Sequence, residues 1–170
     1  TTIDDYIVTT WPTSTSALIA NAGTLDIQGF ESSFAYAKDT FNALVTYSKS
    51  DSKFKNTGLS TQREPGDSLS INLDYAVMKN LSLSWDSLFV MKEESKYIAA
   101  QNIKEAYDVH DIAVKWKPQS TKGLTLIAGI DNIFDETYVS HASENRTLSG
   151  VSLADYEPGR NVKLSFAYEF

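Results

Sequence analysis

The fold class this sequence predicts is all-β: an antiparallel transmembrane β-barrel segment of about eight strands. Three observations predict it. Apolar residues recur at every second position almost throughout, and helical periodicity is hard to find. The connections alternate between short and long. The chain ends on V-K-L-S-F-A-Y-E-F, residues 162–170, whose stripe of Val162, Leu164, Phe166, Tyr168 and Phe170 has no polar tail to cover it.

The elements follow in order. Strand 1 is expected over 5–11 and strand 2 over 24–37, the latter breaking phase near Gly29, where a bulge would restore the alternation. Strand 3, over 40–49, sets Phe41, Ala43, Val45 and Tyr47 on one face. Strand 4, over 67–77, alternates Leu69, Ile71, Leu73, Tyr75 and Val77 with Ser70, Asn72, Asp74 and Ala76. Strand 5, over 80–92, carries Leu81, Leu83, Trp85, Ser87, Phe89 and Met91 on one side. Strands 6 (109–117) and 7 (123–133) lead to strand 8 (160–170).

The links AKDT, MKN and PQSTKG are short; PTSTSALIANAG, SDSKFKNTGLSTQREPG, EESKYIAAQNIKEAY and the stretch from about Asp135 to Pro158 are long. Short turns at one end and long loops at the other is the layout of an outer-membrane barrel. Strand 8 enters from a long loop, so Phe170 is expected on the periplasmic side and the long loops outside the cell. Strands of this length match the ~9–11 residues needed to cross a bilayer at a tilt. Aromatics near strand ends (Trp11, Tyr36, Phe41, Tyr47, Trp116, Phe134, Tyr168, Phe170) suit its interfaces.

Composition narrows the function. The 170 residues are 42% apolar and 12% aromatic, too apolar for a disordered chain. No run approaches the ~18 apolar residues of a membrane helix. Net charge is −7, with cations scattered, so nucleic acid is not an expected partner. There are no cysteines, hence no disulfide framework or thiolate metal site. TTIDDYIV has no secretory pattern, so a leader was removed or the chain starts inside a longer protein. No phosphate loop, nucleophile elbow or HExxH is found, and no enzyme activity, metal site or cofactor is expected.

Candidate ligand contacts lie in the long loops. His141, and His110 at the outer end of strand 6, offer imidazoles able to ligate haem iron or a metal, though a lone loop histidine is more often a solvated residue. Tyr97, Tyr107, Tyr138 and Tyr156, with Arg63, Lys96 and Arg146, suit an anionic ferric siderophore through stacking and charge, and equally suit an ordinary Tyr-rich loop. Copper or zinc uptake calls for more His, Met or Cys. Gly159-Arg160 reads either as strand-start chemistry or as an inward Arg paired with a carboxylate such as Asp131.

Three stretches carry a family likeness. AGIDNIFDETYVS (128–140) resembles the segment ending the penultimate strand of TonB-dependent outer-membrane receptors. YEPGRNVKLSFAYEF (156–170) resembles their final strand, and NAGTLDIQGFESSFAY (21–36) an upstream segment of the same barrels. The resemblance implies the C-terminal part of a receptor of the siderophore or haem iron-uptake type in the bacterial outer membrane. It would be the last third of a barrel of about 22 strands, with plug domain and TonB box not in this chain. It implies the TonB system, the outer-membrane assembly machinery, an iron chelate and the lipid bilayer as partners, with Phe166, Tyr168 and Phe170 as the assembly signal. Two other readings stay open. One is a self-contained eight-stranded outer-membrane barrel (anchor, adhesin or small enzyme), which needs strand 1 to pair with strand 8. The other is a soluble lipocalin-like binder with its apolar face inward.

Overall fold

The computed structural model describes residues 1–13, 15–61, 65–97, 100–143, 146–148, 151–153 and 155–170; within these, the side chains of 10–12, 95–97, 100–103, 146–148 and 151–153 are outside the description. Every described element is a strand. In chain order they are β1 (Thr2–Ile3), β2 (Ile7–Thr13), β3 (Ser16–Asn21), β4 (Leu25–Lys38), β5 (Phe41–Phe54), β6 (Ser68–Met78) and β7 (Leu81–Val90). They continue as β8 (Glu93–Tyr97), β9 (Ala100–Lys104), β10 (Tyr107–Trp116), β11 (Leu124–Asp131), β12 (Arg146–Leu148), β13 (Val151–Leu153) and β14 (Asn161–Tyr168).

Eight of them form one antiparallel sheet in the order β1-β4-β5-β6-β7-β10-β11-β14. The other six make hairpins, β2–β3, β8–β9 and β12–β13, inside long connections. At one end the turns are tight: Lys38 pairs Phe41 and Met78 pairs Leu81. Asp39 takes a φ of 49° in the first of these, a conformation its short polar side chain tolerates. The β10–β11 turn ends at Gly123 (φ 84°), where an added Cβ would collide with the Glu169 carbonyl; the Glu169 amide donates back to the Gly123 carbonyl at 3.1 Å.

The register explains the alternation. Tyr36, Ala43, Leu73, Trp85, Ile112, Ile130 and Val162 stand side by side across seven strands, and Phe41, Tyr75, Leu83, Val114, Ala128 and Leu164 form the next row. Below it run Leu81, Trp116, Leu126 and Phe166. The opposite face carries Asn42, Asp74, Ser84, Ala113, Gly129 and Lys163 in one row. Among the described residues no second layer packs on these rows, whose members range from half-buried to exposed. Phe166 and Leu164 are each 79% exposed, and the buried apolar core among the described residues is Leu25, Phe54 and Val90. A sheet with unbroken apolar rows and no layer packed on them has not met its partner within this chain.

Two expectations are corrected. The first sheet strand is not 5–11. The chain leaves the sheet after Ile3, turning at Asp5 (φ 55°), where Asp4 and Asp5 accept hydrogen bonds from Thr24 (2.9 Å) and Asn21 (2.7 Å); Ile7–Thr13 pairs with Ser16–Asn21 instead. Thr2–Ile3 pairs with β4 and not with β14, so these strands do not close on themselves as an eight-stranded barrel must. The phase break near Gly29 is not a bulge either. β4 and β5 stay in register from Leu25↔Phe54 to Lys38↔Phe41, and Gly29 is a close approach, its Cβ position 2.8 Å from the Lys49 carbonyl oxygen. Beyond Gly29 the apolar residues change face: Leu25 and Phe54 turn to the polar side and bury there, with Tyr6 edge-on to Phe54 at 5.5 Å.

Candidate ligand-facing loop cluster

Three long connections converge on one aromatic group. Tyr107 opens β10, and its ring stacks on that of Tyr138 at 4.4 Å and 27°. His141 meets Tyr107 edge-on at 5.5 Å and is 3% exposed. Its Nδ1 lies 3.1 Å from the carbonyl oxygen of Pro65, in the β5–β6 connection, and its Nε2 lies 2.9 Å from that of Glu105, between β9 and β10. Lys104 Nζ donates to the His141 carbonyl at 2.7 Å. Neither imidazole nitrogen faces open space. The cavity beside it, lined by Lys104, Val139, Ser140, His141 and Ser143, is about 40 Å³, room for a water and not for a chelate. Burial pushes the Tyr138 phenol up, which keeps it protonated and favours a stacking role over a phenolate ligand for iron.

His110 lies elsewhere. Its register partner Ser87 belongs to the apolar face, and the ring sits among Phe134 (5.2 Å), Phe89 (5.4 Å) and Trp85 (5.8 Å). Trp85 Nε1 donates to Ser87 Oγ at 2.7 Å, Ser87 Oγ lies 2.8 Å from His110 Nδ1, and His110 Nε2 lies 3.0 Å from Asp108. The two histidines are therefore on opposite faces. Tyr107, three residues before His110, shares the polar side with His141. Tyr156 is exposed. Arg63 lies outside the described residues, as do the side chains of Tyr97, Lys96 and Arg146.

Sequence reasoning missed a second cluster. Asn132 is 3% exposed with a φ of 49°, and its side chain stitches the chain together: Nδ2 donates to Glu136 O (2.9 Å) and Pro158 O (3.4 Å), while Oδ1 accepts from the Glu136 amide (2.8 Å). The Asn132 amide donates to Asp111 at 2.7 Å. Asp135 accepts the Arg160 amide at 2.8 Å, and the Arg160 guanidinium reaches Ile133 O and Asp135, not Asp131. Asp131 pairs with Lys163 instead. An added Cβ at Gly159 would stand 2.8 Å from Asp135 Oδ1, so Gly159→Ala is expected to weaken this joint, read as a lower midpoint of unfolding in urea. The D-N-I-F-D and G-R stretches, distant in sequence, are halves of one joint between β11 and β14.

The comparisons agree with this architecture. The family described as "TonB dependent receptor-like, beta-barrel" matches residues 1–133. The Heme transporter BhuA of Brucella abortus (strain 2308) is 27% identical over 99 residues, which are 57% of this chain and 14% of that one. Among solved structures, the copper transporter OprC superposes with a TM-score of 0.85 at 17% identity, over 99% of this chain and 27% of its own. A mutant ferric enterobactin receptor, PfeA, of Pseudomonas aeruginosa in complex with enterobactin gives 0.75 at 20% identity, over 99% and 28%. The chain thus spans a small part of each of these three proteins. The cargoes in their names differ (haem, copper and a siderophore), so the likeness carries fold and not cargo.

Proposed function

Because the chain belongs to the TonB-dependent receptor β-barrel family, we propose that it is wall and outer-loop surface of an outer-membrane receptor that takes up an iron chelate, a ferric siderophore or haem. It would form the C-terminal part, about eight strands in a barrel of some 22, joined to a plug and TonB box on the rest of the protein. The observation that carries the reading is the set of apolar rows running unbroken across the sheet, half-buried to exposed along their length, with no described element packed on them. Such a face is stable against lipid, and the opposite face with Asn42, Asp74 and Lys163 against a wet lumen. The change of face beyond Gly29 then marks the height at which the bilayer ends. There apolar side chains gain nothing by pointing outward, so they turn in, Phe54 against Tyr6.

Ligand would meet the long loops, with the Tyr107–Tyr138 pair and the loop cations contributing stacking and charge. TonB would deliver energy to the plug, and the plug would move to let the ligand pass. Phe166, Tyr168 and Phe170 would present the assembly signal at the periplasmic rim, the last two rings edge-on at 5.2 Å.

The test is uptake of labelled iron by the full-length protein in a receptor-deficient host, offered as ferric siderophores or as haem, with and without TonB. Uptake of one class, lost without TonB, is the expected result; uptake of neither, or uptake unchanged without TonB, sinks the proposal. Tyr138→Ala is expected to weaken binding of the transported chelate by roughly threefold to tenfold, the worth of one aromatic contact.

A further inference from the structure

We propose that His141 is a positioning residue, a latch that joins three long loops into one preassembled wall. It binds no cargo itself; it holds the Tyr107–Tyr138 pair in place. The loops are 55–67, 91–106 and 132–160, and one imidazole touches all three: it belongs to the third, its Nδ1 meets Pro65 of the first, and its Nε2 meets Glu105 of the second. Both partners are backbone carbonyls, groups that must find a donor when buried; a ring that donates to both uses both of its N–H groups, whereas the singly protonated ring donates to one of them. The contact is shaped to fit. Gly66 takes a φ of 72°, and a Cβ there would stand 2.9 Å from His141 Nδ1 and 3.4 Å from Glu93 Cβ, so the chain passes the ring closer than any side chain would allow. Lys104 closes the ring's own backbone from the second loop at 2.7 Å. Tyr107 lies edge-on to the ring, and it is the anchor on which Tyr138 stacks. A surface loop histidine would be solvated; this one is 3% exposed and holds loops that are 36 and 76 residues away in sequence. Loop segments of this length are costly to order, and an ordered binding wall spares the ligand that cost.

What the latch serves rests on the receptor reading above; whether it exists does not. The test measures loop-to-loop distances in the full-length protein, in a background without other cysteines. This chain has none of its own. Spin labels go at Thr57→Cys with Ala142→Cys, and at Ala106→Cys with Ala142→Cys, so that the first pair reports the Pro65 side and the second the Glu105 side. Both pairs are expected to give one narrow distance in the parent protein. His141→Ala and His141→Phe, the latter filling the space without hydrogen bonds, should broaden both, corresponding to a roughly tenfold rise in loop opening or more. Gly66→Ala should broaden the first pair and leave the second narrow, because the Glu105 contact survives. It also decides the matter if the His141 variants fail to assemble. Narrow distributions in His141→Phe, or an unchanged first pair in Gly66→Ala, overturn the latch. If neither siderophore nor haem is transported, the receptor reading fails while the distances still decide this one.

Discussion

Asn132→Ala is expected to cost the barrel roughly 3–5 kcal/mol. Two terms add. Asn132 holds a φ of 49°, a left-handed conformation that Asn visits readily and Ala resists by about 1–2 kcal/mol. Its side chain also satisfies the amide and carbonyl of Glu136 and reaches the carbonyl of Pro158 at a site 3% exposed. Leaving such groups unpaired costs about 1–3 kcal/mol each, and the larger values apply only where water cannot enter. Asn132→Gly separates the terms, since glycine accepts the backbone conformation but makes none of the side-chain bonds. The measurement is equilibrium unfolding in urea of full-length protein refolded into lipid vesicles. Stability should fall in the order parent, Asn132→Gly, Asn132→Ala. An Ala variant within about 0.5 kcal/mol of the parent would mean that the β11–β14 joint is not held by this side chain.

That joint shows what the sequence discloses and what it hides. The strands were legible because each face of the sheet has one environment, so Leu69 to Val77 alternate cleanly and so do the residues of β14. The tight turns were legible for the same reason: the alternation stops and restarts across two residues. The loop hairpins were not. Thr9, Thr10, Leu18 and Ile19 pair in β2–β3, yet neither strand alternates, because this hairpin stands outside the sheet whose two faces differ. Gly29 misled because a change of the buried face along one strand leaves the same mark as a bulge. The histidines were legible as imidazoles only. What decides their chemistry is a pair of backbone carbonyls for His141 and a packed aromatic face for His110, and backbone atoms leave no mark in a sequence. The Asn132–Asp135–Arg160 joint was visible as a likeness of motifs; its reason, one side chain serving Glu136 and Pro158, needed the fold.

The second large effect tests which solvent the apolar face meets. Leu164→Arg places a guanidinium in the row of Leu83, Val114 and Ala128, none of which offers it a polar side chain. Against lipid at mid-depth the cost is about 2–4 kcal/mol, falling to about 0–1 kcal/mol near an interface. Tyr168→Arg, near the short-turn end of the same stripe, should therefore be tolerated far better than Leu164→Arg. Ser165→Arg, on the polar face beside Ile127, should be milder than Leu164→Arg as well. Unfolding of refolded protein is the right readout, because it leaves recognition by the assembly machinery out of the comparison. Thinner bilayers should shrink the Leu164→Arg penalty, since mid-depth then lies closer to water. A protein core makes the opposite demands: its penalty follows packing and not depth, and it is blind to the thickness of any surrounding lipid. A cost that is uniform along Leu164 and Tyr168 and unchanged in thin vesicles would put this face against protein. A graded cost that tracks the bilayer puts it against lipid, with the aromatic pair of Tyr168 and Phe170 at the rim of a membrane wall.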